Sequence, residues 1–281
     1  TTGAESEAAV PALRLVRGTH IVVPRIPGAS DAFLLQNADG RIVFVLPFGS
    51  HFTMIGTTEV IVSNPAEGFV ASAEEEAYLI DAAARYLSHP LTRADIVWRF
   101  AGVRPLVDDG AATASSVTRD WRLDLVQPAG SAPLLNIIGG KITTFRLLAE
   151  AALDRLRAFF PNMGEAWTAH APLPGGDVGP QGLTGYRTGL ERQRPGLAPE
   201  TLDRLVSLYG TRADRIIGDA AHDADLGAAL GGGLTKREVC YLRDHEWART
   251  ADDVLWRRTK AGLDLTDAER RDTEAAITRL L

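Results

Sequence analysis

The sequence predicts an α+β fold: an antiparallel sheet with flanking helices, followed by an all-helical C-terminal domain. Three observations predict it. The first half strings together short β-branched runs divided by Gly, Pro and Asn turns. The apolar period changes from two to about 3.6 at residues 72–88, and again after residue 141. The second half has helix-period segments with caps. Between the halves, residues 172–190 hold six glycines and three prolines, which reads as a linker or an irregular loop. A boundary is therefore expected near 165–175, dividing the chain into 1–165 and 166–281.

Taken in order, residues 20–25 form a β-branched run closed by Pro27 and Gly28. Residues 31–36 and 41–47 flank Asn37-Ala38-Asp39-Gly40, the pattern of a hairpin. Residues 51–55 and 58–62 flank Gly56 and read as a second hairpin. At 72–88, Ser72 with Glu75 makes a capping box, and Glu74 and Glu76 favour the positive end of the helix dipole. Tyr78, Leu79, Ala82, Tyr86 and Leu87 line its apolar face, and Pro90 stops it. Strand character returns at 95–107 and 134–138. Gly139-Gly140-Lys141 then breaks the chain into an amphipathic helix over 142–160, ended by Pro161. Helices are expected at 199–208, 213–217, 235–246, 251–261 and 266–281, the last opening with Thr266 and Glu269 as a capping box.

Composition bounds the function. The chain has 281 residues, a net charge of −6 and 45% hydrophobic residues, enough to bury roughly three quarters of its unfolded surface. Dominant disorder is excluded. The acidic balance argues against a nucleic-acid partner. The lone Cys240 rules out an internal disulfide and fits a reducing compartment. No run of 18 apolar residues occurs, and residues 1–10 lack the pattern of a signal peptide. The chain does not begin with Met, so a processed chain or a piece of a longer one is expected.

The segment 134–146 carries the most chemistry. An apolar strand runs through Gly139 and Gly140 into a helix start, where exposed amides attract negative charge and Lys141, Thr143 and Thr144 add donors. An ordinary strand-to-helix turn has the same pattern. A phosphate-binding P-loop does not fit, because Leu135 and Ile142 stand where it needs Gly and Ser or Thr. No Gly-x-Gly-x-x-Gly occurs, and Gly231-Gly232-Gly233 lacks the P-loop spacing to Lys236. Arg104, before Pro105 in an apolar strand, is either paired with Asp108 or Asp109, solvated, or an anion clamp. Arg41 at a strand start and His20 on a strand read equally as ordinary residues or as ligand contacts. His222 and His245 show no metal spacing, no metal is expected, and Cys240 reads as an inert thiol.

Together these stretches resemble one family, the aerobic FAD-dependent glycerol-3-phosphate dehydrogenases. The resemblance runs in order through 15–25 (LVRGTHIVVPR), 41–47 (RIVFVLP), 55–60 (IGTTEV), 96–106 (IVWRFAGVRPL) and Thr118-Arg119-Asp120. It continues through 134–146 (LLNIIGGKITTFR), 173–176 (LPGG), 244–247 (DHEW) and 249–259 (RTADDVLWRRT). It implies that the sheet is the substrate-binding part of an FAD-dependent oxidoreductase fold, with the glycine-rich FAD segment lying outside this chain. The implied enzyme oxidises sn-glycerol 3-phosphate to dihydroxyacetone phosphate, with FAD as cofactor and quinone as acceptor. The oxidase that uses oxygen, and a non-catalytic module binding a polyol phosphate or a protein, are the alternatives. By the same resemblance Arg41 would bind phosphate, Arg104 and Lys141 would act near the substrate oxygens and the flavin, and His20 would be the general base. Gly139, Gly140, Lys141, Thr143 and Thr144 would face the flavin. The isolated chain is expected to be inactive and not to retain FAD. A cytoplasmic location, peripheral contact with the inner membrane face and a homo-oligomer complete the expectation.

Overall fold

The computed structural model describes residues 12–108, 119–127 and 129–281. Residues 1–10, Asp109 and Thr118 lie outside them. The chain divides into two compact units, one ending at Ala166 and the other beginning at Trp167.

The first unit is organised around β1 (Leu13–Pro24), a 12-residue strand. Behind its first residues come β2 (Phe33–Gln36), β3 (Ile42–Phe48), β4 (Phe52–Gly56), β5 (Val60–Val62) and β6 (Trp98–Val107). The β2–β3 hairpin turns at the expected Asn37–Gly40. The expected second hairpin does not form. β4 and β5 instead pair antiparallel with opposite halves of β1, His20–Pro24 and Leu15–Arg17. The long β1 offers partners to both, so the intervening residues 57–59 cross beside it rather than turning back. β6 pairs along most of β1, from Leu13–Val107 to Val22–Trp98.

Strand alternation divides the side chains into two sets. Ile21, Val23, Val43, Val45 and Ile55 belong to one face and join Leu79, Ala82 and Ala83 of α1 (Ala73–Ala84) in a buried core. The Ser72–Glu75 capping box is present at the start of α1. Burying each of the Val, Ile and Leu side chains stabilises the unit by about 1.5–3 kcal/mol, so this layer fixes which face of the sheet remains available. A separate pair, β7 (Trp121–Val126) and β8 (Leu134–Gly139), is antiparallel. β8 leads through a 3-10 turn, Ile142–Thr144, into α2 (Phe145–Leu156). Arg122 and Asp124 interrupt the apolar run of β7, which hides this strand in the sequence.

The second unit is mainly helical. α3 (Gly182–Gln193) replaces the loop expected there. Leu183, Tyr186 and Leu190 recur at helical spacing, and Leu190 is buried, so packing overrides the glycines. α4 (Pro199–Tyr209), α5 (Ala213–Ile217) and α6 (Lys236–His245) follow the sequence reading closely. Gly231, Gly232 and Gly233, all at positive φ, form the turn between β9 (Ala229–Gly231) and β10 (Leu234–Thr235). The segment after residue 250 becomes a π-helical turn, Asp253–Arg258, then α7 (Asp267–Thr278) with its Thr266–Glu269 capping box. Leu202, Leu205, Ile216, Leu242, Leu255 and Ile277 meet in its core. Inside it, Arg204 grips Glu238 at 2.8 and 2.5 Å, and Tyr209 donates to the same carboxylate at 2.7 Å. The fully buried Glu238 is therefore compensated, and its role is architectural.

Candidate active site

The face of the sheet opposite α1 assembles the candidate site. Register places His20 between Gly56 on β4 and Phe100 on β6. The imidazole stacks on Phe100 with centroids 4.9 Å apart and planes 4° from parallel. Trp98 and Phe48 extend the aromatic row. A side chain at Gly56 would overlap the His20 ring, so glycine there is a requirement of close approach. Two residues along β1, a Cβ at Gly18 would stand 2.7 Å from both Arg104 Nη2 and Thr57 Oγ1. Gly18 thus lets the guanidinium and the Thr57 hydroxyl cross the strand.

The electrostatics of this face are unusual. Burial, reinforced by the Arg104 charge, lowers the His20 pKa to about 4, so its imidazole is neutral at pH 7. Burial also lowers the pKa of Arg104, the nearby Arg119 adds to the effect, and Glu59 opposes it. Arg104 Nη1 is buried without a hydrogen-bond partner among the described residues. Asp108, a partner weighed for Arg104 from the sequence, binds Arg14 instead at 2.8 Å. An unmatched guanidinium nitrogen beside a second cation is a receptor for an anion.

The other face holds the site in place. Glu75 pairs with Arg17 at 2.7 Å and accepts hydrogen bonds from Thr19 Oγ1 at 3.0 Å, Thr58 Oγ1 at 2.6 Å and the Ser72 amide at 3.1 Å. Burial works against its charge, yet the Thr58, Ser72 and Thr19 bonds and the Arg17 charge hold its pKa below the usual carboxylate value. This network ties β1, the 57–59 segment and the start of α1 together directly behind Gly18 and His20.

Arg41 does not join His20 and Arg104. Register puts it on the α1 side of the sheet, one residue before Ile42. There its guanidinium lies 3.7 Å from the centre of the Tyr78 ring and binds Asp39 at 2.6 Å. It lines a cavity of about 330 Å³ with Arg17, Ser72, Glu74 and Glu75. Lys141, Thr143 and Thr144 stand where β8 meets α2, and Lys141 is the N-cap residue of the 3-10 turn. The space beside Gly139 and Gly140 is taken by β7: a Cβ would meet the Asp120 carbonyl at 2.9 Å and Trp121 Cβ at 3.2 Å respectively. Their freedom serves the close packing of β7, with both at positive φ. Glu59, Thr57 and Arg119 were missed as site residues. Thr57 and Glu59 alternate with Thr58 in one short segment, and Arg119 is brought close from a distant part of the chain.

Residues 1–146 match the sequence family described as FAD dependent oxidoreductase. The chain belongs to that family. Residues 166–280 match the C-terminal domain of alpha-glycerophosphate oxidase. A glycerol-3-phosphate dehydrogenase of Pseudomonas aeruginosa is 45% identical over 92% of the chain and 50% of the relative. A D-erythritol 1-phosphate dehydrogenase of Brucella abortus is 43% identical over 92% of the chain and 51% of the relative. The aerobic glycerol-3-phosphate dehydrogenase of Escherichia coli is 41% identical over 89% and 50%. The chain spans about half the length of these relatives. The X-ray structure of the glycerol-3-phosphate dehydrogenase from Bacillus halodurans complexed with FAD shares the fold, with a TM-score of 0.72 and 24% identity, over 98% of this chain and 58% of that one.

The start of α2 fits the flavin of this family. No side chain caps the 3-10 turn, and Lys141, Ile142 and Thr143 are exposed, Ile142 at 85%. Uncapped amides and a cation suit the electron-rich edge of a flavin. The phosphate-binding glycines of a dinucleotide fold occur nowhere in the chain. Among the described residues no group of three His, Cys, Asp or Glu side chains is placed to hold a metal, and no helix is long and apolar enough to cross a membrane.

Proposed function

We propose that this chain is the substrate-facing half of an FAD-dependent dehydrogenase of polyol phosphates, acting on sn-glycerol 3-phosphate to yield dihydroxyacetone phosphate. The observation that carries the reading is a neutral His20 beside the unmatched Arg104 nitrogen. The names of the P. aeruginosa and E. coli relatives support the substrate, and the B. abortus relative makes a longer polyol phosphate the competing one.

In this reading Arg104, with Arg119, neutralises the anionic end of the substrate and orients the chain of hydroxyls. His20 accepts the proton of the C2 hydroxyl. A group with a pKa near 4 is a weak base; a bound dianion offsets the Arg104 charge and so raises it, while burial, the larger cause, still holds it down. The stacked Phe100 and the Gly56 contact hold the ring in one orientation while it does so. FAD, when bound, supplies the hydride acceptor at C2. Lys141 and the turn that follows would hold the flavin's electron-rich edge. Quinone would serve as the electron acceptor, with oxygen the alternative.

The proposal extends to a cytoplasmic enzyme on the inner membrane face. The exposed Leu134, Ile137, Phe145 and Leu147 support a homo-oligomer. The isolated chain is proposed to be inactive and not to retain FAD, because it has no dinucleotide fingerprint. The test is anaerobic flavin reduction by glycerol 3-phosphate and by erythritol 1-phosphate in the FAD-loaded enzyme containing this chain. Reduction that persists unchanged in His20→Gln and Arg104→Ala would sink the proposal. Oxygen uptake, measured against reduction of a soluble quinone, separates the two acceptors.

A further inference from the structure

We propose that Glu59 is a positioning residue of the anion site, whose carboxylate holds Arg119 on the side of the sheet where Arg104 lies. The inference rests on the anion-site reading above and adds a residue to it. Arg119 Nη2 binds Glu59 Oε1 at 2.5 Å, and the Glu59 side chain is only 16% exposed. The 57–59 segment alternates. Thr58 turns back into the Glu75 and Thr19 network, while the flanking Thr57 hydroxyl stands against Gly18 and Arg104. Glu59 therefore projects from a segment already fastened on its far side, which makes it a rigid anchor for a long, otherwise mobile arginine.

Two guanidinium groups near each other repel, and the repulsion is felt at Arg104. The Glu59 charge opposes it. The carboxylate thus does two things: it offsets the clash between the cations and it restricts the Arg119 rotamers. A guanidinium carries five donors, so one partner at Nη2 leaves others for an anion. Pre-ordering such a side chain removes an entropic cost of binding.

Inorganic phosphate is the probe, titrated by calorimetry at low salt into the 281-residue chain and its variants. Glu59→Ala is expected to weaken phosphate binding about tenfold, the scale of one charge-assisted contact. Glu59→Gln should match or exceed the parent, because its amide oxygen still accepts from Arg119 and no longer repels the anion. In an Arg119→Gln background, Glu59→Ala should change the affinity less than about twofold. If Glu59→Ala does not fold, Glu59→Asp, which withdraws the oxygen from Arg119, should show a smaller loss that also vanishes without Arg119. Binding in folded Glu59→Ala or Glu59→Asp equal to the parent, or a loss of the same size without Arg119, overturns the positioning role. Phosphate that ignores the parent chain, or binds Arg104→Met as well as the parent, overturns the anion site itself.

Discussion

Replacing His20 by Gln removes a histidine whose titration is strongly displaced. Its pKa falls from 6.5 to about 4 in the folded chain. The unfolded state therefore binds the extra proton first, and stability rises with pH across the window from about 4 to 6.5. The full shift corresponds to about 3 kcal/mol, of which about 2 kcal/mol is lost between pH 7.5 and pH 5. Set against a typical stability of about 5–15 kcal/mol, that loss is measurable. Urea unfolding at pH 7.5 and pH 5.0, with far-UV circular dichroism, should show the parent weakening more steeply than His20→Gln by about 2 kcal/mol. Asp253, held near 2, titrates below this window, and the other carboxylates with lowered pKa values are common to parent and variant and cancel in the comparison. NMR titration of the His20 Cε1–H signal gives the pKa directly. Parallel pH profiles in parent and variant, together with a midpoint near 6.5, would refute the reasoning. Phosphate should raise the His20 midpoint by offsetting the Arg104 charge.

In the FAD-loaded enzyme, Arg104→Ala should cut kcat/KM by at least about tenfold, while Arg41→Ala should leave KM within about twofold, because Arg41 faces Tyr78 and Asp39. A large KM effect at Arg41 would show that it reaches the substrate. Lys141→Met should lower the flavin midpoint potential and slow turnover, read by redox titration alongside steady-state kinetics, since a cation near the flavin favours its reduced anion. Glu75→Gln should destabilise the first unit by about 3 kcal/mol, because it removes the negative charge of the Arg17–Glu75 ion pair and weakens three hydrogen bonds. Denaturation within 1 kcal/mol of the parent would mean the network behind the site is dispensable.

What the sequence alone determined was local. The Ser72 and Thr266 capping boxes, the Asn37–Gly40 hairpin and the helices at 199–208 and 213–217 all follow from contacts within a few residues, and they form as expected. The family was recognisable for a similar reason: short runs such as GTH, GVRP and GGK keep residue types that a particular site needs, whatever surrounds them. Pairing was decided elsewhere. Gly56 looks like a hairpin turn in sequence, but its place beside the His20 ring is set by β4 and β5 each finding half of β1. Arg41 and Arg104 look alike as arginines near apolar strand residues. Only the register puts one against Tyr78 and leaves the other with an unmatched nitrogen on the opposite face, since a single-residue step along a strand reverses the direction of a side chain. The Glu59–Arg119 pair joins segments 60 residues apart, and no local period reports a contact across that separation. The glycine-rich 172–190 region shows the same limit from the other side. Its composition favours a loop, but the burial of Leu190 and the packing of Tyr186 make it a helix, because tertiary burial outweighs a propensity deficit of about 1 kcal/mol per glycine.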